Sequence, residues 1–63
     1  MKLMLKEIRT RKGISVPDLV NLSGISRRTI QDIEKRGDCM LSNAYLLAKA
    51  LQVSLDDLCQ DDE

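Results

Sequence analysis

Residues 15–36 read SVPDLVNLSGISRRTIQDIEKR, and the punctuation of that stretch decides the fold. Ser15 and Ser26 each stand ahead of a segment with helical spacing. A serine at an N-cap accepts a hydrogen bond from a first-turn N–H that has no partner inside the helix. Asp18, three residues after Ser15, completes a capping box with Asp in place of Glu. Pro17 falls in a first turn, where a missing N–H costs nothing. Gly24 separates the two segments and can turn the chain through left-handed backbone. The spacing therefore predicts two short helices, over 16–23 and 27–35. Leu19 and Val20, the turn residue Ile25, then Ile30 and Ile33 are their inward positions, which lock the pair at a steep angle. Arg27, Arg28, Gln31, Asp32 and Lys35 then project outward together from the second helix of the pair.

Working outward, the same rules predict three more helices. The first spans 2–12, with Leu5, Ile8 and Arg9 on one face, Met1 and Met4 extending it, and Gly13 stopping it. A loop over 36–40 leads to a helix from 41 or 42 to 52, with Ser42 near its start. Its apolar stripe is Leu41, Ala44, Tyr45, Leu47, Ala48 and Leu51, and Leu46 falls off that stripe. Ser54 caps a last helix over 55–59, whose first turn holds Asp56 and Asp57, where the helix dipole favours acids. Residues 60–63 are expected to be a short, frayed acidic tail. Strict alternation never lasts, so no strand is expected. The fold class expected is all-α, with residues 1–63 forming one domain.

Composition narrows the function. The chain has 63 residues, of which 43% are apolar, enough for one small core. It has no His, Phe or Trp. Without imidazole the commonest general base and metal ligand is missing. Cys39 and Cys59 alone supply neither a four-ligand zinc site nor a nucleophile–base pair, and are expected to be reduced thiols used as small apolar residues. No enzyme, no metal, no cofactor and no small-molecule ligand is expected. No apolar run reaches the roughly 20 residues of a membrane span. The start lacks the pattern of a secretory signal, so a cytoplasmic protein with no membrane partner is expected. The net charge is zero, but residues 1–36 carry nine bases against four acids and residues 37–63 one base against six acids. Such a split suits one surface that faces a polyanion and another that avoids it.

The outward face over 27–35 has two readings. It is a solvated face, or it reads DNA: Arg pairs bidentately with guanine, Gln with adenine, and Asp accepts from cytosine. The wider sequence resembles the phage-repressor and Cro-type helix-turn-helix family, also called the Xre family. The resemblance lies in Ile8-Arg9, in Lys12-Gly13-Ile14-Ser15, in 23–30 and in Ile33-Glu34-Lys35, and later in 47–51 and 53–58. It covers about residues 4–59 without an insertion and implies a compact five-helix bundle of the lambda-repressor type. It also implies that Arg27, Arg28, Gln31 and Asp32 sit at base edges, while Thr29, Lys35 and Arg36 approach phosphates. Arg9 and Glu34 occupy positions where family members form an ion pair between helices one and three. Two departures stand out. The position where family members often place a phosphate-touching Gln is Val16, so only its backbone N–H can make that contact. The loop after helix three, Gly37-Asp38-Cys39-Met40, is poor in bases, which implies a weaker phosphate grip.

The function expected is a Cro-like minimal repressor that reads the major groove of double-stranded DNA with helix three. It would act as a weak homodimer on a pseudo-palindromic operator. Met40, Leu46, Leu55 and Cys59 are the apolar residues expected to serve pairing. The alternative is a protein-interaction module or an antitoxin on the same fold.

Overall fold

Each of the five helices contributes to one core in the computed structural model, which describes residues 2–60. Helix α1 is Leu5–Arg11, α2 Val16–Ser23, α3 Arg27–Arg36, α4 Leu41–Leu51 and α5 Leu55–Leu58. Leu5, Leu19, Ile30, Leu47, Leu51 and Leu58 are almost wholly buried, at the spacings that place them on inward faces. Ala44 and Ala48 are buried on α4, and their small side chains let α2 pack closely against it. No helix among the described residues is long and apolar enough to cross a membrane.

The caps set the boundaries. Ser15 accepts from the Asp18 N–H at 3.2 Å, and Asp18 accepts from the Ser15 N–H at 3.4 Å, closing the capping box. Ser26 and Ser54 cap α3 and α5 in the same way through the N–H groups of Thr29 and Asp57. Gly24 and Gly37 end α2 and α3 with φ of 76° and 71°, in the left-handed region that a Cβ disfavours. Helix α4 has no such glycine. Gln52 closes it at φ 59°, a conformation that costs a side-chain-bearing residue about 1 kcal/mol.

The structure corrects several expectations. Helix α1 begins at Leu5 rather than at residue 2, and ends at Arg11. Lys2–Leu3 is instead a strand, β1, which pairs antiparallel with a second strand, β2, over Cys59–Gln60. Leu3 opposite Cys59 is buried, and the Met4 N–H donates to the Leu58 carbonyl at 2.8 Å. Two-residue strands carry no alternation that a sequence can display, so this pairing has no local signal. It also ends α5 at Leu58 and takes Gln60 out of the expected tail; Met1 and residues 61–63 lie outside the described residues. Arg36 belongs to α3, not to the loop. Ser42 lies inside α4, whose N-cap is Met40 with no side-chain capping bond. Leu41 and Tyr45, expected on the inward stripe of α4, are instead exposed. The stripe narrows because α4 turns only Ala44, Leu47, Ala48 and Leu51 to the core.

One buried polar side chain locks the turn between α2 and α3. The Ser23 hydroxyl donates to the Leu19 carbonyl at 2.7 Å and accepts from the Ile25 N–H at 3.1 Å. Ser23→Ala strands that N–H away from water and should lower stability by about 1–3 kcal/mol in denaturant melts. Leu22→Ala, one residue earlier at an exposed position, should change it by less than about 0.5 kcal/mol.

Candidate nucleic-acid interface

Helix α3 buries Ile30 and Ile33 and leaves the rest of its circumference largely open. Arg28, Thr29, Gln31, Asp32 and Lys35 line one shallow concavity on it. Arg27 is exposed at the start of the helix, outside that lining. Arg36 lies round a neighbouring depression with Asp38, Met40 and Asn43. Asn43 is a polar neighbour that the sequence did not single out; its only signal was its position off the apolar stripe of α4.

At the N-terminus of α3 the Ser26 hydroxyl accepts from the Thr29 N–H and donates to Thr29 Oγ1 at 2.8 Å. The Thr29 hydroxyl is thereby left to donate outward. Asp32 pairs with Arg36 one turn along, Nε to Oδ1 at 3.1 Å, and not with Arg28. Both side chains are well exposed, so the pair contributes only a few tenths of a kcal/mol, but it neutralises one acid on this face. Val16 is half-buried against the core, and its N–H lies in the first turn of α2, among the groups without an intrahelical partner.

What holds α3 in place is Arg9. Its Nε donates to Glu34 Oε2 at 2.9 Å, its Nη2 reaches Oε1 at 3.5 Å, and its Nη1 donates to the Ile14 carbonyl at 3.0 Å. The two side chains retain only 15% and 14% of their exposure. One planar guanidinium thus ties α1, the turn after it and α3 together.

The residues expected to serve pairing divide. Met40, Leu46 and Leu55 are exposed, and the unexpected Leu41 and Tyr45 join them at the α4–α5 end. Cys59 is half-buried, packs against the core and is held in β2, so it is not a spare apolar residue. Cys39 is also a free, half-buried thiol. Burial foremost, then the neighbouring Cys59 and Asp38, push the Cys39 thiol above its ordinary value.

A family profile described as helix-turn-helix matches residues 5–58 of the chain. No curated protein matches the sequence.

Arg9→Met leaves the Glu34 carboxylate and the Ile14 carbonyl without their partner in a largely buried setting. It should destabilise by about 3 kcal/mol, and the double replacement of Arg9 and Glu34 by apolar residues should do less harm than either single change. Strictly additive losses in denaturant melts would refute the coupling. For Cys39, the rate of alkylation in Cys59→Ser should rise with pH through a midpoint still above that of a free thiol, because burial persists without the neighbour.

Proposed function

The chain belongs to the Xre/Cro-like helix-turn-helix family, a family of DNA-binding regulators, and from that premise we propose that it is a Cro-like repressor reading duplex DNA with α3. The observation that carries this reading is the shared concavity of Arg28, Gln31, Asp32 and Lys35, on a helix whose only packed residues face the core. A helix of ten residues presented in this way fits the width of the major groove. Arg27, Arg28 and Gln31 are assigned to base edges, since they lie in the N-terminal half of the helix, the half that enters the groove. Asp32 acts beside them in two ways: it can accept from a cytosine amino group, and it holds Arg36. Lys35, Arg36, the Thr29 hydroxyl and the Val16 N–H are assigned to phosphates. Arg9 and Glu34 brace α3 for that approach.

A single short helix makes few base contacts, so two copies on a pseudo-palindrome would supply the rest, with half-sites about 34–36 Å apart. A second reading, a protein-interaction module or antitoxin, is favoured by the exposed apolar residues at the α4–α5 end and by the zero net charge.

Selection of bound sites from a random DNA pool tests the first reading directly. Arg28→Ala should cost about 1–3 kcal/mol on the best site and relax the preference at one base pair. Lys35→Ala should weaken every sequence alike and lower the salt slope by about one. Asp32→Ala should free Arg36 for phosphate and tighten binding to the poorer sequences, so that discrimination falls. Sequence preference unchanged by substitutions at 27, 28, 31 and 32 would remove α3 as the reading element and leave the interaction reading standing.

A further inference from the structure

We propose that Cys39 and Cys59 form a reversible dithiol–disulfide couple, an oxidation site that staples the loop after α3 to the strand β2. The two residues come from distant parts of the chain, and the fold brings them to one corner. Leu41 and Ser42 at the start of α4 share one concavity with Leu55 at the start of α5. Cys39 lies two residues ahead of Leu41. Cys59 follows Leu55 by one turn, with its N–H donating to the Leu55 carbonyl. Both thiols are free, both are half-buried, and both side chains pack against the same core. Burial first, and then an ionised Cys59 close by, raise the Cys39 thiol above its ordinary value, so the two sulfurs lie near enough to feel each other.

Access and freedom to move favour the pair. Cys39 lines the open depression that also holds Thr29, Arg36 and Asn43, so a small solute reaches it. Gly37 to Met40 lie outside both helices, and the Cys39 N–H is held by the Asp38 side chain at 2.8 Å rather than by a helical carbonyl. The loop is therefore free to bring the two Cβ atoms to the spacing of about 4 Å that a disulfide needs. The chemistry is thiol–disulfide exchange with a low-molecular-weight disulfide such as oxidised glutathione. One cysteine thiolate attacks a glutathione sulfur; the glutathione S–S bond breaks, a mixed disulfide forms and one glutathione leaves as the thiolate. The second cysteine thiolate attacks the protein sulfur of that mixed disulfide, and the other glutathione leaves. The two cysteines lose two protons and two electrons, and the glutathione disulfide gains both to become two glutathiones. The closed ring holds α4 and α5 and no part of α1, α2 or α3. Closing that ring restricts the unfolded chain, so the oxidised form is the more stable one. The couple does not depend on whether α3 reads DNA.

The test equilibrates the full chain, at about 10 μM, with buffers of glutathione and glutathione disulfide, quenches with acid and reads the intact mass. The wild type should convert to an internal disulfide, two hydrogens lighter than the dithiol, and return on adding dithiothreitol. Its denaturant midpoint should rise on oxidation and fall back on reduction. The glutathione ratio at half-conversion should show the disulfide favoured at least about tenfold more in the folded chain than in the chain unfolded by guanidinium chloride at about 6 M. Cys39→Ser and Cys59→Ser should each stop at the mixed disulfide with one glutathione, without the rise in midpoint. A wild type that accumulates only mixed disulfides, or disulfides between chains, overturns the proposal. So does an internal disulfide that forms equally well in the unfolded chain, because the fold would then contribute nothing to bringing the thiols together.

Discussion

The Arg9 guanidinium is the constraint on which the presentation of α3 depends. It donates to both oxygens of Glu34 and to the Ile14 carbonyl, so one planar group fixes the first helix, the turn after it and the third helix at once. Hydrophobic side chains could hold the same elements together, but they would tolerate small rotations. A fork of directed donors does not, because each bond weakens steeply when its angle is lost. With Ile30 and Ile33 buried beneath and Glu34 held at the side, the remaining faces of α3 are left to solvent.

The turn before α3 is governed by similar economy. Ser23 serves Leu19 and Ile25 with a single hydroxyl, Gly24 supplies left-handed backbone, and Ser26 starts the next helix. Three small residues thereby satisfy the turn's polar groups while Ile25 enters the core. These local hydrogen bonds leave the turn few alternative conformations. On α3 itself the Asp32–Arg36 pair ties an acid to a base one turn along, so the two charges on this face offset each other.

At the opposite end the molecule is held differently. The short pairing of β1 with β2 fastens the start of the described chain to the segment after α5, and the Met4 N–H on the Leu58 carbonyl extends it. Cys59 is consumed in that closure, which leaves Leu41, Tyr45, Leu46 and Leu55 as the exposed apolar side chains of α4 and α5. The charged face of α3 and the apolar side chains of α4 are thus separated by the four residues Gly37 to Met40.

The sequence by itself determined the helices of the motif and all but one of their limits, because caps are local. A serine three residues ahead of its donor, or a glycine one residue past a helix, acts within a few bonds, so Ser15, Gly24, Ser26 and Gly37 mark boundaries without help from the rest of the chain. The outward set on α3 was legible for the same reason, since helical periodicity fixes which residues share a face. Arg36 was misplaced by a single residue at a helix end, where the signal is weakest. Only the tertiary structure decided the partners. Asp32 meets Arg36 rather than Arg28 because rotamers, not spacing, choose between neighbours at one turn. Leu3 becomes a strand because Cys59 comes to lie beside it, a contact 56 residues distant in sequence that no local pattern encodes. Leu41 and Tyr45 have the spacing of core residues and are exposed, because α4 has only one side against α2 and α5 and its alanines occupy it. Periodicity tells which residues share a face, and packing alone decides which face is covered.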